Sequence, residues 1–159
     1  MIKVKFANSP LTSMHAARGI GRYSQQLQQA LKATGQIEVL SSSVKQPADI
    51  THYPYFDLHF PTLPIRPFGK TVVTIHDLIP LVFPEQYPVG KKGQWHFFKQ
   101  KLALSFVSAI ITDSAHSRKD IEIYLGVAKD KIFVVPLAAP IELKRPDPKS
   151  LQTIKRKLG

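Results

Sequence analysis

Apolar residues alternate at the start of the chain, and Ile2, Val4 and Phe6 at a period of two predict a strand. Asn8, Ser9, Pro10, Thr12 and Ser13 then mark a loop. From Gly19 or Ile20 the period lengthens: Ile20, Tyr23, Leu27, Ala30 and Leu31 recur at helical spacing, glutamines fill the opposite face, and Gly35 closes the segment. Ile37–Leu40 and Asp49–Tyr53 read as two short strands. The proline- and aromatic-rich stretch 54–67 is an irregular connection, stiffened where proline fixes φ. Thr71–Ile75 is β-branched throughout and bounded by Gly69 and by His76-Asp77, which predicts a strand covered on both faces.

A second proline-punctuated loop reaches about Gly93, after which Trp95, Phe98, Leu102 and Phe106 define a helix face expected to enter the core. Ala109–Thr112 follows as a strand. Ser114 is placed to cap a helix carrying Ile121 and Leu125, Gly126 stands where a carboxyl-terminal glycine belongs, and Ile132–Val135 is the last strand. Strands alternating with helices predict an α/β fold with a Rossmann-like, doubly wound, mostly parallel sheet. Ile2–Phe6 and Thr71–Ile75 are expected to be its central neighbours.

Composition narrows this picture. A length of 159 residues at 43% hydrophobic content suits one domain with one core. Residues 1–143 are assigned to that domain. The polar stretch from Lys144 to Gly159, with Pro146 and Pro148, reads as a linker and the start of a segment leading to a further domain. The absence of cysteine excludes a disulfide scaffold, a thiolate metal site and a cysteine nucleophile. With no basic n-region before a long apolar segment, and no apolar run near the ~20 residues a spanning helix needs, a cytoplasmic protein is expected.

Charge changes the picture more. The formal net charge is +11, with no acid before Glu38 and none between Glu85 and Asp113, so anionic partners are expected. Lys91, Lys92, Lys99 and Lys101 fall in the second acid-free span. In the helix that contains them, Phe97 and Leu104 lie opposite the expected core stripe, and Lys101 lies one turn from Phe97. Lys91, Lys92, Phe97 and Lys101 are therefore candidates for an interfacial surface facing an anionic membrane. A helix buried on two sides is the plainer alternative.

Chemistry concentrates at four places. Arg18-Gly19-Ile20-Gly21-Arg22-Tyr23 opens a helix, where glycines admit a phosphate to the backbone and the helix terminus offers unpaired N–H groups. A simple glycine turn is the bland reading, and the dozen residues separating it from the first strand argue against a dinucleotide fingerprint. His76 and Asp77 follow the strongest strand, at the edge where open parallel sheets bind ligands, although a histidine there is often only structural. Ser114, His116, Ser117 and Arg118 open another helix; capping alone accounts for Ser114. His52-Tyr53-Pro54-Tyr55-Phe56 also ends a strand, with sugar stacking or packing beneath a loop as its alternatives. The histidines show no metal-ligand spacing.

In this order the pieces resemble the amino-terminal domain of the retaining group 1 glycosyltransferases, a family that includes bacterial mannosyl- and glucosyltransferases. The matching stretches are GIGRYSQQLQQAL from Gly19, ADITHYPYF from Ala48, TVVTIHDLIPLVFPE from Thr71 and ITDSAHSRKDIEIYLGVAKDKIFVVPLA from Ile111. The resemblance implies one half of a GT-B architecture, the acceptor-side half, facing a donor-holding domain across a cleft. It implies that the full protein moves a sugar from a nucleotide-diphosphate sugar to an acceptor such as a lipid-linked or polysaccharide precursor, with no cofactor beyond that donor. It further implies that Gly19 and Gly21 form the loop facing the donor diphosphate, with Arg22 beside it. His76 then reaches toward the transferred sugar as the catalytic residue, accompanied by Asp77, with His52, Ser114 and Arg118 as further substrate-binding positions. Arg18 stands where the family often has another glycine, and Ala138 follows Pro136-Leu137 where glycine is common. The carboxyl-terminal domain with its E-x7-E motif is absent from the sequence, so the isolated chain is expected to be inactive. The rival reading is a non-enzymatic basic module binding nucleic acid or an anionic polymer; aromatics concentrated in loops and a core stripe disfavour nucleic acid.

Overall fold

The computed structural model describes residues 1–7, 19–138 and 147–158. The expected loop at 8–13, Arg18 and the first residues of the expected linker lie outside these. Six strands form one all-parallel sheet: β1 (Ile2–Phe6), β2 (Ile37–Ser41), β3 (Ile50–Tyr53), β4 (Thr71–Thr74), β5 (Ala109–Thr112) and β6 (Ile132–Val134). The main helices are α1 (Gly19–Ala33), α2 (Ile79–Val82), α3 (Lys91–Leu104), α4 (Ala115–Asp120) and α5 (Pro148–Leu158). α4 continues into a π turn over Ile121–Leu125 that ends at Gly126, whose φ of 69° favours glycine, as the sequence predicts. The fold is the Rossmann-like, doubly wound α/β class.

Strand order is β2-β1-β3-β4-β5-β6. The chain winds outward from β1 to β2 and then returns to the other side of β1, which makes the β1/β3 boundary the switch point of the sheet. One expectation is corrected here. β1 and β4 are not neighbours, because β3 pairs with both, Val4 opposite Ile50 on one side and Thr51 opposite Thr71 on the other. Thr51 and His52 make β3 look too polar for a central strand. Its burial is possible because the His52 side chain finds a hydroxyl partner inside the fold.

The core joins Val73, Ile75 and Ile110 from the sheet to Leu104, Val107, Ile121 and Leu125. A second correction concerns α3. The stripe expected to enter the core is the exposed one, with Trp95, Phe98, Leu102 and Phe106 all open to solvent. The inner face instead carries buried Gln100, Ala103 and Leu104, and Phe97 packs against the core and beside His59. Both faces are apolar, so spacing fixed the period of the helix and left its phase open. Gln100 decides the phase. Its Oε1 accepts from the N–H groups of Thr62 (3.2 Å) and Leu63 (3.0 Å) and from the Thr62 hydroxyl (3.0 Å), and its Nε2 donates to the Leu63 carbonyl at 2.8 Å. That one side chain pins the proline-rich connection to the helix. Gly93, in the first turn, is also fixed by packing: a Cβ there would come within 2.3 Å of Val89 Cγ1.

Candidate functional site

The carboxyl ends of β3, β4 and β5 bring together residues that are distant in sequence. β4 and β5 pair in parallel with Thr74 opposite Ile111, and continuing that register sets His76 beside Asp113. Their side chains meet: His76 Nδ1 lies 2.7 Å from Asp113 Oδ2. The Tyr23 ring, from the second turn of α1, stands edge-on to His76 with centroids 4.7 Å apart. Its hydroxyl is 3.2 Å from Thr74 Oγ1, which is also 2.9 Å from His52 Nε2. One threonine hydroxyl thus links α1 to β3 through β4.

These contacts set the electrostatics. His52 is buried against Phe6, and desolvation, with a smaller contribution from nearby His76, lowers its pKa to about 4. It is neutral at ordinary pH. Burial raises the Tyr23 pKa above its usual value; the Thr74 hydrogen bond opposes that shift and the Asp113 charge adds to it. The polar atoms left over are equally informative. His76 Nε2, Asp113 Oδ1 and Thr112 Oγ1 are buried and have no hydrogen-bond partner among the described residues. Unpaired buried polar atoms are costly, so three at the ends of two adjacent strands make this edge a candidate ligand site.

The residues singled out from sequence divide accordingly. Gly19 and Gly21 open α1 one turn or less before Tyr23, so the glycine segment and His76 share the same sheet edge. Among the described residues, a Cβ at Gly19 would meet nothing within 4 Å, which leaves the backbone at Gly19 open to close approach, whereas Gly21 is buried. Arg22 is exposed. Asp77 does not pair with His76; its Oδ1 accepts from the Ile79 N–H at 3.0 Å, in a turn that leads into the short α2. His52 lies beneath the surface, as a buried packing residue. Ser114 is an N-cap, its Oγ accepting from the Ser117 N–H at 3.0 Å. Arg118 donates to Glu122 at 3.1 Å and to the Lys129 carbonyl at 3.4 Å, tying α4 to the turn before β6. Tyr23, Thr74 and Asp113 were missed. The available signal was a carboxylate just past β5 at the same level as a histidine just past β4, legible only once the two strands are known to pair.

Separately, the connections leaving β3 and β4 and the first turn of α3 enclose an open hollow of about 610 Å³. His59, Phe60, Tyr87, Lys92 and His96 are among its walls, and no carboxylate is. Both ring nitrogens of His59 are buried without a partner among the described residues. The amino terminus of α3 adds backbone N–H groups with no side-chain cap and no acid in the first turn.

No family model matches this sequence, and no curated protein does.

Proposed function

We propose that this chain is the acceptor-side domain of a glycosyltransferase that moves a sugar from a nucleotide-diphosphate donor to a glycan or lipid-linked acceptor. The observation that carries the reading is His76, held at Nδ1 by Asp113 at the carboxyl end of β4 and left with a buried Nε2 that has no partner among the described residues. A neutral imidazole that donates from Nδ1 to the carboxylate presents Nε2 as an acceptor for a sugar hydroxyl; the protonated ring presents a donor. The open backbone at Gly19 suits a diphosphate approaching the start of α1. The hollow beside His59 suits a polar or anionic acceptor, with Phe60 and Tyr87 as stacking faces. Stabilising the departing diphosphate falls chiefly to cationic groups of a second domain, where negative charge develops as the sugar leaves.

The test is transfer by a polypeptide that continues this chain into a donor-holding domain. His76→Ala is expected to lower kcat by about 100-fold or more while leaving the thermal midpoint nearly unchanged. The isolated chain is expected to bind nucleotide sugars weakly and to transfer nothing. Unchanged kinetics for His76→Ala, or micromolar donor affinity for the isolated chain in calorimetry, would overturn this assignment of roles.

A further inference from the structure

The outer face of α3 has no use in the fold described so far. Trp95, Phe98, Leu102 and Phe106 recur at helical spacing and are 57%, 60%, 43% and 45% exposed. Trp95 and Phe98 stack on one another, with centroids 6.2 Å apart and planes at 16°, and the Lys99 ammonium sits 4.8 Å above the Trp95 ring. The Arg66 guanidinium covers Phe106 in the same way, 5.6 Å from its centroid. A run of large apolar side chains held in water is unusual unless something covers it. The helix cannot relieve that exposure by rotating, because Gln100, Ala103 and Leu104 anchor its other side.

We propose that this face docks on an anionic lipid bilayer, with Trp95, Phe98, Leu102 and Phe106 entering the headgroup layer and Lys91, Lys92 and Lys99 meeting lipid phosphates. Charge selects the occupant. Lys91 and Lys99 lie one turn to either side of Trp95, Lys92 is exposed in the first turn, and no acid occurs between Glu85 and Asp113 to oppose them. An apolar stripe bordered by lysines on a helix lying flat against its domain is the pattern of interfacial binding, where apolar burial and attraction to anionic lipid act together. A second copy of the chain is a poor occupant, since two surfaces of this kind on molecules of net charge +11 repel. Nucleic acid is disfavoured because the Trp95 ring, on which a base would stack, is already covered by Phe98 and Lys99. The basic flank has a limit at Lys101, whose ammonium is directed to the Tyr124 carbonyl at 3.0 Å.

The proposal shares only Lys92 with the hollow read as an acceptor site and is tested without any sugar. Trp95 is the sole tryptophan, so its emission reports on this face directly. Phosphatidylglycerol-containing vesicles are expected to sediment the 159-residue chain and shift its emission to the blue, while pure phosphatidylcholine vesicles do neither. Lys91→Glu combined with Lys92→Glu is expected to weaken binding by about tenfold or more, from roughly the contribution of each basic residue near an anionic surface. Phe98→Ser with Leu102→Ser, at exposed positions that leave the fold intact by circular dichroism, is expected to weaken it by a similar factor. Sedimentation without a blue shift would mean a solvated basic helix and overturn the docking. So would charge reversals without effect. Concentration-dependent self-association without lipid would assign the face to a second copy. A blue shift with a single-stranded oligonucleotide but not with vesicles would assign it to nucleic acid. Trp95 emission already blue-shifted in a longer polypeptide before vesicles are added would mean that another part of the protein covers the stripe.

Discussion

Two of the places where this molecule buries polar side chains treat them in opposite ways. Under α3, Gln100 is almost wholly buried and its amide is bonded at both ends, with three donors on its oxygen and one acceptor on its nitrogen, all from the adjoining loop. At the carboxyl ends of β4 and β5, His76 and Asp113 bond to each other, and Nε2 and Oδ1 are buried with no further partner among the described residues. The first arrangement is what a fold needs from a buried amide, because each satisfied group avoids a desolvation penalty. The second leaves such penalties standing. Side chains that meet their hydrogen-bonding needs internally hold a structure together; those that do not are the candidates for meeting a ligand.

The largest expected effect tests the saturated side. Gln100→Leu keeps the volume but strands the Thr62 and Leu63 N–H groups and the Leu63 carbonyl, and should cost about 3 kcal/mol or more of stability in urea unfolding. A loss below about 1 kcal/mol would mean that the loop finds water instead, and the contrast would collapse.

On the unsaturated side the expected sign is reversed. Asp113→Asn should leave urea stability within about 1 kcal/mol of the parent, because its partner is only part-buried, while lowering transfer by about 100-fold (about 2.7 kcal/mol) through loss of the charge that orients His76. Equal losses of stability and activity would make the pair structural.

His52 offers a sharper division within the cluster. Its pKa is lowered to about 4, so between about pH 6.5 and about pH 4 the unfolded chain binds a proton that the folded chain refuses. Stability is therefore full above the unfolded value and falls as pH drops through this window, by about 2 kcal/mol at about pH 5. Urea midpoints across that range check it. His52→Gln should flatten the slope, and a parent curve that is already flat would show His52 protonating without penalty.

The smallest effect is expected at Gly19. Alanine there meets no atom within 4 Å and should change stability by less than about 0.5 kcal/mol, with any sign toward stabilisation reflecting helix propensity. If transfer falls while stability holds, close backbone approach by the donor is supported; if both are unchanged, the glycine is a turn residue only.

Much of this was legible in the sequence. All six strands follow from local alternation and β-branching, the ends of α1 and of the π turn from Gly19 and Gly126, and the Ser114 cap from a hydroxyl preceding a helix. His76 was recognisable because the end of a strongly β-branched run in an open parallel sheet is where such folds bind ligands. These features are local, so a short window of residues contains the physics that decides them.

Three things were settled only by tertiary structure. The insertion of β3 between β1 and β4 depends on His52 finding Thr74, a partner 22 residues away. The phase of α3 depends on Gln100 engaging a loop 37 residues earlier; with apolar residues on both faces, hydrophobic spacing alone favoured the wrong side and turned an exposed aromatic stripe into an expected core. The partner of His76 is Asp113 and not the adjacent Asp77, because neighbours along a strand point to opposite faces while residues in register on paired strands stand side by side. Periodicity reports which residues share a face, and only packing decides what that face will meet.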